Sequence, residues 1–233
     1  MEFRTIVNNP RQTFELEPCE RILFVGSCFA DNIGKRFEEE KFRAVVNPFG
    51  VMYNPVSVLH TARKMAGTPF DTAVFTLGTN HVYVERATGE IVDNCQKRPQ
   101  REFEERELTI DECADALREA ISLLRTSNPR LRVILTVSPI RYAKYGYHES
   151  QLSKAVLRLA ADKLTKEASG EVYYFPAYEI VNDELRDYRF YKADMLHPNE
   201  QAVAYIWEQL VATCFSATAK QFLKEWRPIK EAL

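Results

Sequence analysis

The chain has 233 residues, 45% hydrophobic and 27% charged, a length that fits one domain or at most two and a composition ordinary for a globular protein. Its 31 Lys and Arg against 33 Asp and Glu leave a formal charge of -2, which supplies no basic footprint for nucleic acid or for an anionic membrane surface. The five scattered cysteines (Cys19, Cys28, Cys95, Cys113, Cys214) are an odd number with no CxxC pair, so neither a disulfide framework nor a structural zinc site is expected, and a reducing compartment fits better.

Along the chain the hydrophobic period changes repeatedly. Ile22-Leu23-Phe24-Val25 is a short apolar run ending at Gly26, which reads as a buried strand stopped by a turn. FADNIGKRFEEEKF follows, with Phe29, Ile33 and Phe37 four apart and charges on the other face, a helix. Ala44 to Val46 is a second strand, then the turn-rich NPFG and a helix from Pro55 to Ala66. Thr72 to Leu77 is a third strand ending at Gly78. A helix over Ile110 to Arg125, a strand over Arg132 to Val137, a helix over Gln151 to Lys166, a strand over Val172 to Phe175 and a final helix from about Asn199 to Phe215 complete the series. Strands separated by helical patterns predict a mostly parallel five-stranded sheet in a three-layer α/β/α fold.

One segment breaks the rhythm. HVYVERATGEIVDNCQKRPQ alternates in period two around Thr88-Gly89, which predicts a hairpin inserted over about 81–106, beyond the C-terminal edge of the sheet, where open α/β sheets bind ligands. No repeat, low-complexity tract or Gly/Ser linker marks a boundary, so residues 1–233 read as a single domain. The N-terminal MEFRTIVNNPRQ lacks a signal-peptide run, and no stretch approaches the ~20 apolar residues of a spanning helix. The expectation is a soluble, cytoplasmic protein with no membrane partner.

Three signals carry chemistry. In VGSCFADNIG a buried strand turns at once into a helix, aiming Ser27 or Cys28 at a helix N-terminus, where backbone N–H groups favour an anion. A thiol there has a lowered pKa, and a hydroxyl there needs a neighbouring base. The plainer alternative is that small residues serve a tight turn and the cysteine is simply packed. The second signal is Asp194-Met195-Leu196-His197-Pro198-Asn199, where a carboxylate three residues before an imidazole can hold its far nitrogen, as a triad requires; otherwise the aspartate merely caps a turn. No third ligand stands at metal spacing and HExxH is absent, so no metal and no cofactor is expected. The third is Gly78-Thr79-Asn80 with Asn47-Pro48-Phe49-Gly50, whose glycine N–H and Asn amide are common donors to a developing oxyanion.

Gly26-Ser27-Cys28-Phe29-Ala30 is the namesake motif of the GSCFA family, and the chain resembles that family also in NPFGVMYNP (47–55), LGTNHVY (77–83), SPIRY (138–142), HESQLSKAVL (148–157) and YRFYKADMLHPNEQAVAYIW (188–207). The family in turn resembles the SGNH, or GDSL-like, hydrolases, three-layer proteins that mostly cleave or transfer small acyl esters. Their four blocks are a GDS motif, a glycine, GxN and DxxH. The corresponding stretches here are Gly26-Ser27-Cys28, Gly50, Gly78-Thr79-Asn80, and Asp194 with His197. One departure is plain: ILFVGSC falls on ILFVGDS, so Ser27 takes the aspartate's place and Cys28 the nucleophile's. A turn shifted by one residue would make Ser27 the nucleophile instead.

The resemblance implies attack by Cys28 or Ser27, His197 as general base, Asp194 as its orienter, and an oxyanion hole from Gly50, Asn80 and the nucleophile's own N–H. His197 is expected in contact with residue 27 or 28. Possible substrate contacts are His81, Arg141 and His148, with surface or structural roles as the alternative for each. The implied partner is a small-molecule or glycan ester, with hydrolysis of an acetyl group the first reading. An acyltransferase of polysaccharide modification and a non-catalytic carbohydrate-binding module are the alternatives.

Overall fold

The computed structural model describes residues 3–9, 13–168 and 170–232. In chain order the elements begin β1 (Arg21–Gly26), α1 (Cys28–Glu39), β2 (Arg43–Val46), α2 (Pro55–Met65) and β3 (Thr72–Leu77). Three short strands follow, β4 (His81–Glu85), β5 (Ile91–Val92) and β6 (Phe103–Glu107). The chain continues with α3 (Ile110–Arg125), β7 (Arg132–Val137), α4 (Tyr147–Glu167) and β8 (Val172–Tyr174). It ends with a short α5 (Ala177–Glu179) that runs into a π-helical stretch Ile180–Leu185, then α6 (Glu200–Cys214) and α7 (Ala217–Glu231).

The main sheet has the order β2-β1-β3-β7-β8 with every pairing parallel. Its strands are continuous apolar runs because helices cover both faces. On one face α2, α3 and α4 pack through Leu59, Leu117, Ile121, Leu124 and Leu157 against Leu23, Phe75 and Leu135. On the other, Phe37 of α1 is fully buried, its ring centroid 4.9 to 5.4 Å from Phe24, Phe42, Trp207 and Phe215, so one aromatic cluster joins α1 to β1 and α6. The chain leaves β1 for β2 on one side and returns to β3 on the other. That switch point opens a crevice at the carboxyl ends of β1 and β3.

The expected strands and helices lie where the periodicity puts them, with three differences. Helix α4 starts at Tyr147, four residues before Gln151, after Gly146 at φ 87. Helix α7 was not expected: among its residues only Ala219 is buried, Phe222 and Leu223 are half-buried, and Pro228 lies inside it, so no clean apolar stripe announces it. The irregular segment holds a three-stranded antiparallel sheet, β5-β4-β6, rather than a hairpin alone. The turn at Thr88-Gly89 is there, with Gly89 N–H on Glu85 O at 2.7 Å and φ 72. Strand β6 escapes notice because, in FEERE, Phe103 alone is buried. This small sheet leaves the main one just after β3, and His60 on α2 holds Asp93 beyond β5 at 2.7 Å.

Candidate active site

The β1–α1 turn is built by close approach. A Cβ on Gly26 would lie 2.2 Å from the Thr76 carbonyl oxygen on β3, so only glycine lets the two strands come this near. Asn47, at φ 41, accepts from Gly26 N–H at 2.9 Å and donates to Asp31 at 2.6 Å, bracing the turn. Ser27 is 2% exposed. Its hydroxyl caps α1 by accepting from Phe29 N–H at 3.2 Å and lies 3.3 Å from the Thr76 hydroxyl. Cys28, the first residue of α1, is half-buried, and its Sγ lies 3.8 Å from the Tyr53 hydroxyl. Its amide is the first N–H of the helix and has no intrahelical acceptor. Cys113 and Cys214, by contrast, are buried, and desolvation pushes both thiols up to about 12.

The loop before α6 presents the imidazole. Asp194 Oδ1 accepts from Leu196 N–H at 2.8 Å and His197 N–H at 3.0 Å, while Oδ2 holds His197 Nδ1 at 2.7 Å. These two backbone bonds first, then the His197 ring, depress the Asp194 carboxyl to about 2. The stabilisation from that lowered value is complete above the ordinary carboxylate range and is lost progressively as pH falls from there through about 2. With Nδ1 committed to Asp194, Nε2 is the nitrogen left to take a proton.

Ser27, Cys28 and His197, from opposite ends of the chain, line one cavity of about 310 Å³ together with Tyr53, Gly78, Thr79 and Ser138. No hydrogen bond joins Cys28 to His197; the polar neighbour of the sulfur is Tyr53. Desolvation and the adjacent thiol raise the Tyr53 phenol to about 12, so it keeps its proton. A wider cavity, about 800 Å³, lies beside β8 and α4, but its Arg158 and Glu179 pair at 2.8 Å and neither thiol nor imidazole lines it. Among the described residues no three His, Cys, Asp or Glu side chains converge on a point that could hold a metal ion.

The two expected oxyanion donors are engaged elsewhere. Gly50 is exposed and spends its N–H on Asn47 O at 2.8 Å, closing a turn at φ 89 outside the cavity lining. Asn80 is 1% exposed, and its side-chain amide donates to Leu108 O at 2.8 Å, tying β3 to the start of α3. The Tyr53 hydroxyl stands beside the sulfur, and the Cys28 amide has no intrahelical acceptor. His81 stacks on Tyr145 at 4.0 Å, its pKa lowered first by burial, and His148 is exposed in the first turn of α4; neither lines the cavity. Arg141 does line it.

Lys154 is a residue that motif reasoning missed. It is 3% exposed, lines the cavity, and donates to Gly78 O at 2.6 Å and Ser138 O at 2.8 Å, bridging the ends of β3 and β7. Its sequence signal is its place on the buried stripe of α4 with Ser150, Ser153, Leu157 and Ala161, where a lysine is rarely found unless it has work. Burial lowers its ammonium to about 7. Between about pH 7 and 10 the unfolded chain then binds a proton that the folded one does not, so stability rises with pH. From pH 7 to 9 the protein should gain about 1 to 2 kcal/mol relative to Lys154→Met, read from urea midpoints. Equal pH dependence in the two would mean that Lys154 keeps an ordinary ammonium.

The family model described as the GSCFA family matches residues 21–73 and 65–210. The chain belongs to the GSCFA family. A search of curated proteins finds no match. Among solved structures, a provisionally assigned platelet activating factor from Streptococcus pneumonia superposes with a TM-score of 0.57 at 16% identity, covering 84% of each chain. A provisionally assigned GDSL-like lipase from Parabacteroides merdae gives 0.54 at 15% identity over 88% of this chain and all of that one (100%). An acetylxylan esterase from Geobacillus stearothermophilus gives 0.52 at 14% identity over 87% and 98%. At these identities the likeness is one of fold: this GSCFA chain has the α/β architecture of the GDSL-like and SGNH proteins. Among the described residues no helix is long and apolar enough to cross a membrane.

Proposed function

We propose that this GSCFA protein is an SGNH-type hydrolase of small acyl esters, acetyl esters of carbohydrates first, with Cys28 as nucleophile. The observation that carries the reading is the shared cavity: Cys28 at a helix N-terminus and a His197 already oriented by Asp194 face the same space at the switch point. Ser27 is the poorer candidate, since its hydroxyl is buried and holds the helix cap. In the first step His197 Nε2 takes the thiol proton, the Cys28 sulfur bonds to the carbonyl carbon, and the Cys28 amide and Tyr53 hydroxyl meet the oxyanion. Collapse breaks the C–O bond, the alcohol leaves with the proton from the imidazolium, and a thioester remains. Water, deprotonated by His197, attacks the thioester; the acid departs and the thiol is restored. In unliganded sites such contacts are often looser than in the reacting complex, which is consistent with a Cys28 not yet hydrogen-bonded to His197.

Transfer to a sugar hydroxyl uses the same first half-reaction and differs in the second acceptor alone. A binding module that has lost turnover would have no use for the bond between His197 and Asp194. The test is release of free acetate from acetylated sugars and chromogenic acetyl esters, with alcohols as competing acceptors. His197→Asn should lower kcat by about 10³-fold or more. Turnover equal in the protein and in His197→Asn, or none from the protein on any ester with or without acceptor, would contradict the reading.

A further inference from the structure

The charges around the cavity do not balance. Among the described residues four basic side chains line it, Arg141, Lys144, Lys154 and His197, and no carboxylate does. Lys144 is neutralised by Glu105 at 2.6 Å, and His197 rests on Asp194. Arg141 and Lys154 have no carboxylate within ion-pair distance among the described residues, whereas Arg118, Arg125 and Arg158 on the neighbouring helices α3 and α4 are all paired. The Arg141 guanidinium stands over Tyr147 at 4.1 Å, with Tyr191 at 5.5 Å and Tyr188 at 5.8 Å, and donates once, to Met195 O at 3.1 Å. Rings can hold a cation in place without neutralising it. Lys154 has carbonyl oxygens alone as its partners.

A buried or half-buried cation without a counter-charge is costly, and a cleft lined by one sign of charge focuses its field on whatever enters. A guanidinium with most of its donors uncommitted is the group best shaped for a carboxylate or phosphate. A neutral acetylated sugar would leave the Arg141 charge unanswered. Arg141 also holds the loop that carries His197, since its own N–H donates to Leu196 O at 3.0 Å and its side chain to Met195 O. An anion on Arg141 would therefore seat beside the general base.

We propose that the ester accepted by this site carries an anionic group, a carboxylate or a phosphate, which Arg141 grips, with the Lys154 amine beneath it on the cavity floor. This rests on the reading of the cavity as the active site, and its test is chosen to need no turnover. Cys28 is alkylated at pH 6 with iodoacetate, which is anionic, and with iodoacetamide, which is neutral but nearly the same size, and the modified peptide is quantified. The ratio of the two rates is compared with that of β-mercaptoethanol. The ratio at Cys28 should exceed the reference by about tenfold or more, and Arg141→Gln should bring it most of the way back. Lys154→Met should lower it too; if that variant does not fold, Arg141→Gln on the cavity rim decides. Protection of Cys28 by inorganic phosphate or by succinate then names the anion. A ratio equal to the reference, unchanged in Arg141→Gln, overturns the proposal even if both reagents react fast. Slow reaction with both reagents but a raised ratio would retain the anion site and reject Cys28 as nucleophile.

Discussion

Cys28→Ala should abolish ester turnover, with kcat/KM down by about 10⁴-fold or more, while Ser27→Ala should retain a substantial fraction. Both neighbours line the cavity, but they differ in engagement. The Ser27 hydroxyl accepts from Phe29 N–H and lies against Thr76, whereas the Cys28 sulfur has the Tyr53 hydroxyl as its polar neighbour. Ser27→Ala should instead cost about 1 kcal/mol of stability, the usual loss of an N-cap. Rates for both variants with one chromogenic acetate, and urea melts of both, check the pair. Full activity in Cys28→Ala with none in Ser27→Ala would exchange the two roles. Parental activity in both would end the nucleophile assignment.

Gly26→Ala should be strongly damaging for so small a substitution. Its Cβ would sit 2.2 Å from the Thr76 carbonyl and 2.4 Å from the Thr76 hydroxyl oxygen, at φ 150, so β1 and β3 must part at the switch point. The expected loss is about 3 kcal/mol or more, from overpacking against backbone together with an unfavourable conformation. It should also displace Cys28, because the bonds from Ser27 N–H to Thr76 O and from Met52 N–H to Gly26 O fix this turn. Denaturant midpoints and Cys28 alkylation rates measure the two effects. A variant as stable as the parent would mean that the turn tolerates a wider spacing than the structure has.

How much could be read from the sequence depended on whether a signal was local. Strands β3 and β7 were legible as apolar runs because both faces are buried, and α3 because Thr109 and Glu112 close a capping box ahead of a clean stripe. Strand β6 and helix α7 were not, since each buries a single residue: the rest of β6 is exposed, and α7 adds half-buried Phe222 and Leu223. At the site, motif order singles out Cys28, Asp194 and His197; Asp194 holds His197 Nδ1, and Cys28 and His197 line one cavity without a hydrogen bond between them. Gly50 and Asn80 stand outside the cavity lining for a physical reason. A glycine N–H or an Asn amide looks like a free donor until the fold reveals its acceptor, here Asn47 O and Leu108 O. Tyr53 could not be singled out, because its position follows from its own carbonyl accepting Gly78 and Thr79 N–H across the crevice. Lys154 could have been, from its phase on α4.

The most direct measurement is the identity of the acylated residue. The protein is mixed with a chromogenic acetyl ester, quenched in acid within the first turnovers, digested and sequenced by mass spectrometry. One acetyl group is expected, on Cys28 as a thioester, removed by hydroxylamine and absent from Cys28→Ala. An acetyl group on Ser27, or rapid turnover with Cys28 unmodified at every quench time and still present in Cys28→Ala, would contradict it.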